Sequence, residues 1–141
     1  MAVKYHTEDC AFLFKGKTKT TAWIKQVAGA ENASVGNINV VFCSDSYLLR
    51  INREYLRHDY FTDIITFDCT EEERGRKVIS GDLMISIDTV RQNSAKYNVP
   101  FDNELARVII HGILHLLGYG DKTPAEATKI RELEDRYLAI C

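Results

Sequence analysis

His111 and His115 stand four residues apart in the run HGILHLLGYGD. On a helix that spacing puts two imidazoles one turn apart on the same face, where both can grip one ion. Gly118 lets such a helix end in a left-handed turn, and Asp121, six residues beyond His115, then offers a carboxylate to the same point. Two nitrogens and one oxygen, with no fourth protein donor in the run, match an open catalytic site that keeps a water better than a closed structural one. Zn2+, one ion per chain, is the expected metal, and it would bring the pKa of its water toward neutrality and supply a hydroxide for hydrolysis. The metal-bound water is the one catalytic group these residues name; no protein base is assigned. A buried HxxxH pair alone is more often satisfied by hydrogen bonds. Here the glycine and carboxylate at fixed offsets favour a metal, since imidazoles set among Ile109, Ile110, Ile113, Leu114, Leu116 and Leu117 are costly without a partner.

The spacing HxxxHxxGxxD is similar to HExxHxxGxxH, the zinc helix and turn of metzincin proteases. Gly112 stands where those proteases need the glutamate that acts as general base, so a peptidase mechanism of that type has lost its proton acceptor.

These side chains need elements that hold them. Asn103 to Leu117 reads as a strongly apolar helix, the central buried one. Thr123, Pro124 and Glu126 form a capping-box start for a last helix to about Ala139. Upstream, Asp88 is expected to cap a helix to about Tyr97. DIITF and VISGDLMISI, joined by the charged turn EEERGRK, read as a hairpin, with Gly81 marking a bulge or close backbone approach. GNINVVFCS reads as a strand entering a core, followed by a helix through Tyr47, Leu48, Ile51 and Tyr55 with Ser44 or Asp45 at its N-cap. Strand-like pieces VKYHT and FLFK open the chain, then an amphipathic helix from about Lys19 to Ala30. Segregated strands and helices indicate an α+β fold: one domain over 1–141, a small mixed sheet with a hairpin packed against helices, and the metal site at the end of the central helix.

At 141 residues and 45% hydrophobic, the chain can bury a real core without staples. A net charge of −2 does not advertise a polyanion partner, so any nucleic-acid site must be a local patch. Short basic clusters at Lys15, Lys17 and Lys19, at Arg50, Arg53 and Arg57, and at Arg74, Arg76 and Lys77 are more commonly solvated turns and helix faces. Cys10, Cys43, Cys69 and Cys141 form no CxxC pair, which fits reduced thiols and a cytoplasmic location. No apolar run is long enough for a bilayer, and no membrane partner is expected. His6 carries no motif and is expected to be exposed.

Three blocks resemble the YbeY family of metal-dependent, single-strand-specific endoribonucleases of ribosomal RNA maturation. INREYLRHDYFTDIITF, Ile51 to Phe67, is similar to the family's LNxxYRxxDxxTDVLSF; GDLMISID is similar to GDIxIS; HGILHLLGYGD is similar to HGxLHLxGYDH. The resemblance covers about residues 38–138. It implies His111 and His115 as the first two zinc ligands and Asp121 as the third, a position the family usually fills with histidine. A carboxylate there is an ordinary zinc ligand that leaves the bound water somewhat less acidic. The family's arginine after the block's tyrosine falls on Leu56, with Arg57 and His58 following as candidate substrate contacts beside Asp63; Asp82 matches as well. The implied activity is cleavage of single-stranded ribosomal RNA, at the 3′ end of the small-subunit rRNA, and ribosome quality control, with the ribosome or assembly factors as partners. Two rivals stand beside it: a ribosome assembly factor whose metal is mainly structural, and a metal-dependent hydrolase of a non-RNA substrate.

Overall fold

A computed structural model describes residues 2–141. The strands are β1 (Ala2–Glu8), β2 (Ala33–Cys43), β3 (Ile64–Asp68), β4 (Glu71–Glu73) and β5 (Arg76–Ser86). The helices are α1 (Lys17–Ala30), α2 (Asp45–Tyr55), α3 (Ile87–Lys96), α4 (Phe101–Leu116) and α5 (Pro124–Leu138). The fold is α+β, with a mixed five-stranded sheet ordered β1-β2-β5-β3 and β4 also paired to β5. β1 and β2, and β2 and β5, run parallel; β3 and β4 lie antiparallel to β5.

Period-two alternation divides the core between the two faces of this sheet. Val40, Phe42, Leu83 and Ile85 face the larger cluster, where α1, α4 and α5 contribute Ile24, Val27, Ile109, Ile113, Ile130 and Leu133. Val41, Cys43, Ile65 and Met84 face the smaller cluster beneath Leu48 of α2. α4 is buried along most of its length, from Leu105 through Leu116, so its histidines are presented from a helix packed into the core.

The expected hairpin is present: β3 pairs with β5 from Ile64↔Ile85 to Asp68↔Gly81. Part of the segment read as its turn is itself strand. Glu73 pairs with Arg76. The two residues between them, Arg74 (φ 55°) and Gly75 (φ 77°), both take positive φ as a tight two-residue connection requires. Gly81 is the expected close approach, because a Cβ there would lie 2.1 Å from the Phe67 carbonyl oxygen.

FLFK is not a strand; residues 10–16 run without regular structure. Its alternation is real in burial, with Phe12 and Phe14 packed on Phe42 and Leu13 73% exposed, but the backbone has no ladder partner. Asp88 is not the cap of α3. Ser86 accepts from the Thr89 amide at 3.1 Å, while Asp88 reaches across to accept from the Asp45 amide at 2.9 Å. Ser44 caps α2, and Thr123 with Glu126 makes the expected capping box on α5. Among the described residues no helix is long and apolar enough to cross a membrane.

Candidate metal centre

α4 carries His111 and His115 on its one partly open face, and their ring centroids lie 4.5 Å apart at 83°. The chain leaves α4 through Gly118, whose φ of 105° is the left-handed turn its type allows. Two cross-chain contacts hold the end of the helix. Lys77 Nζ donates to the Leu117 carbonyl at 2.5 Å, placing a cation at the negative end of the helix dipole. Thr70 Oγ1 donates to the Leu116 carbonyl at 3.3 Å. After this turn Asp121 Oδ2 comes back to 3.3 Å from His111 Nε2 and 3.4 Å from His115 Nε2.

The imidazoles are fixed from behind. His115 Nδ1 donates to the Tyr119 carbonyl at 2.9 Å, and His111 Nδ1 donates to Glu134 Oε2 at 2.6 Å. A carbonyl can only accept, and an ionised carboxylate can only accept, so these partners assign the Nδ1–H form to both rings. The two Nε2 atoms then face each other at 2.9 Å. With Nδ1 protonated, neither neutral ring has a hydrogen to place between them, and either an added proton or a bound metal ion resolves the opposed lone pairs. The donor set, His111, His115 and Asp121 with all ligating atoms within 4.8 Å of one another, fits a divalent ion such as zinc.

Glu134 is 5% exposed and tied on both sides. Arg107 donates Nη1 to Glu134 Oε1 at 2.9 Å and Nη2 to Asp135 Oδ1 at 2.8 Å. Burial pushes the Glu134 carboxyl up, but the hydrogen bonds and charges of His111 and Arg107 prevail and hold it below the usual carboxylate range. For His111, burial opposes the charged ring, yet the Glu134 hydrogen bond and the charges of Glu134, Asp63 and Asp121 raise it above the ordinary imidazole value. Asp63 is raised, chiefly by burial and against the pull of His111.

These groups line one cleft of about 680 Å³. Its walls carry six carboxylates, Asp63, Glu104, Asp121, Glu132, Glu134 and Asp135, against Arg107 and Arg131. Without a cation such an excess of negative charge repels a phosphodiester; it attracts a divalent ion, whose charge offsets part of that repulsion.

Of the residues singled out in the sequence, His111, His115 and Asp121 come together, and Asp63 lines the same cleft. Arg57 and His58 do not line it; they stand exposed on the loop after α2, where Arg57 takes φ 57° and His58 stacks on Tyr60. Asp82 accepts from Asn39 Nδ2 at 3.0 Å, a tie between β2 and β5. His6 is exposed.

Glu134 and Glu31 were not anticipated. Glu134 occupies a core-facing position of α5 beside Ile130, Leu133 and Tyr137, and a carboxylate on an apolar stripe is the signal that marks it. Glu31, just past α1, accepts from the Tyr119 hydroxyl at 2.5 Å and from the Tyr137 hydroxyl. It ties three distant segments around the turn that carries Asp121. No sequence pattern links it to them.

A mixed sheet with a central helix ending in a His/His/Asp cluster defines an α+β protein with a candidate single-ion centre at a helix terminus. The chain belongs to the YbeY family: the family model described as Endoribonuclease YbeY matches residues 3–141. It is 50% identical over 138 residues, 98% of this chain and 97% of the relative, to the Endoribonuclease YbeY of Phocaeicola vulgatus. It is 44% identical to that of Flavobacterium psychrophilum, over 92% of this chain and 89% of the relative. Among solved structures, the solution structure of TM1509 from Thermotoga maritima superposes with a TM-score of 0.66 at 25% identity, covering 97% of this chain and 87% of that one.

Proposed function

We propose that the chain is an endoribonuclease that cuts single-stranded RNA with one zinc ion held by His111, His115 and Asp121. The observation that carries the metal is the pair of Nε2 atoms facing each other at 2.9 Å, each ring anchored through Nδ1 to an acceptor. RNA as the substrate is supported by the membership of the YbeY family, whose relatives here are endoribonucleases.

When bound, the ion supplies Lewis acidity and brings a water toward ionisation at neutral pH. The chain's own residues do the rest. Glu134 and the Tyr119 carbonyl keep the Nδ1 protons, so both Nε2 lone pairs point inward. Asp121 adds one negative charge at the ligand position the family usually fills with histidine. Asp63, which lines the cleft with His111, is a further carboxyl whose burial favours holding a proton. The expected role is maturation of the small-subunit rRNA 3′ end and ribosome quality control in the cytoplasm, with the ribosome or its assembly factors as partners.

Elemental analysis of the purified chain beside His111→Ala and Asp121→Ala tests the site, with cleavage of single-stranded ribosomal RNA assayed before and after chelation and casein as the control substrate. One zinc per chain, lost in both variants, with RNA cut only in the metal-loaded form, is the expected result. Metal retained in both variants overturns the ligand set; cleavage that survives chelation overturns the metal's role.

A further inference from the structure

Among the described residues eight large apolar side chains stand notably exposed, and four of them fall within seven positions: Tyr55 (66%), Leu56 (41%), Tyr60 (56%) and Phe61 (62%). This is not a slack loop. Asn52, 1% exposed, anchors it from the core: its Nδ2 donates to the Tyr60 carbonyl at 2.9 Å, and its own carbonyl accepts from the Leu56 and His58 amides, both at 3.1 Å. Arg57, at φ 57°, turns the chain as it leaves α2. The His58 ring stacks on Tyr60 at 5.2 Å and 19°, and the two side chains share a hydrogen bond of 3.0 Å. A buried amide therefore holds a loop of exposed aromatic side chains in place, where apolar exposure of this density marks a binding surface.

The charge around the rings says what binds. Arg57 lies exposed between Tyr55 and Tyr60, and Arg50 and Arg53 precede the rings on α2, where Arg50 sits over the Tyr47 ring at 5.1 Å and Arg53 is ion-paired to Asp59. A guanidinium among exposed aromatic side chains suits a strand that offers both phosphates and base faces. The loop also leads into the cleft: Phe61 is two residues from Asp63, which lines it with His111 and Asp121. A duplex hides its base faces in the stack, so such a surface engages only unpaired nucleotides.

We infer that Tyr60 and Phe61, on the loop pinned by Asn52, form a base-stacking platform that receives unpaired RNA nucleotides next to the metal cleft. The platform rests on the reading of RNA as substrate and assigns to this loop the selection of single strands.

The test is fluorescence anisotropy on the zinc-loaded full chain, with a short phosphorothioate oligoribonucleotide, its abasic counterpart and its duplex as the three probes. The intact chain is expected to bind the base-bearing single strand at least about tenfold more tightly than either other probe. The double variant Tyr60→Ala with Phe61→Ala loses that preference while keeping its zinc content, and Tyr60→Phe with Phe61→Tyr, which keeps both rings, retains it. An intact chain without the preference, or a double-alanine chain that keeps it, overturns the platform; the second result assigns the rings to a protein partner. An intact chain that shows the preference yet cuts no RNA with zinc present overturns the proposed activity and leaves the platform standing.

Discussion

At the scale of single residues, the proposed centre sets a proton and a metal in competition for the space between two Nε2 atoms. In the metal-free chain that space favours a proton, because Glu134, Asp63 and Asp121 raise His111 above its ordinary value. Zinc binding should therefore release a proton near neutrality and weaken as pH falls through the raised His111 value. Calorimetry in two buffers of different ionisation enthalpy measures this, and zero net proton release contradicts it. The same pair sets the stability window without metal. A raised imidazole stabilises fully below its unfolded value and loses that contribution as pH rises through the folded one; a depressed Glu134 stabilises above its unfolded value and loses it as pH falls through the folded one. Chelated protein should thus melt at lower temperature as pH moves from neutral to alkaline, while the zinc-loaded chain does not follow. Glu134→Gln keeps the shape but not the charge of the group behind His111, and should cost about 10- to 100-fold in zinc affinity by competition titration. An unchanged affinity would mean the carboxylate only packs.

At the scale of elements, the position of α4 against the sheet decides where the histidines sit. A Cβ at Gly112 would lie 2.8 Å from both Ile64 Cδ1 and Leu83 Cδ2, so this face of the helix seats directly on β3 and β5. The absence of the protease glutamate therefore has a packing reason: position 112 faces the sheet, not the cleft. Gly112→Ala should destabilise by about 1–3 kcal/mol, the ordinary cost of overpacking, read by denaturant unfolding. A neutral result would show that α4 shifts freely, against the buried register described above. The turn after α4 is held separately by Glu31, whose hydrogen bond is the leading cause of the raised Tyr119 phenol. At Tyr137 burial leads and the Glu31 bond adds to it, pushing the phenol up to about 12. Tyr119→Phe removes one hydroxyl and should lower stability by about 1.5–3 kcal/mol, the range for a hydrogen bond to a charged group. A melting temperature equal to that of the parent chain would show that the clamp carries no load.

At the scale of the whole molecule, a net charge of −2 is less informative than its distribution: carboxylates concentrate in the cleft, and Arg57 stands exposed on the loop that leads to it. Zinc at one hundred times its dissociation constant should stabilise the folded chain by about 2.7 kcal/mol, so chelation should lower the melting temperature. Equal melting curves with and without chelator would place the ion off the folded state. Much of this was legible in the chain. Helical spacing alone aligns His111 with His115, because i and i+4 share a face whatever the fold, and the Thr123–Pro124–Glu126 start and the β3–β5 hairpin are likewise local in their causes. FLFK misled because alternation reports burial and not a backbone partner, and Asp88 because two serine and aspartate side chains compete for one helix start. Glu134 comes from 23 residues beyond His111, and Glu31 meets Tyr119 across 88. Contacts at such separations leave no periodicity in the sequence, since they depend on how whole elements pack. The sequence by itself determined which atoms can bind a metal. Only the packing of α5 and of the end of α1 against the turn after α4 decided which way those atoms point.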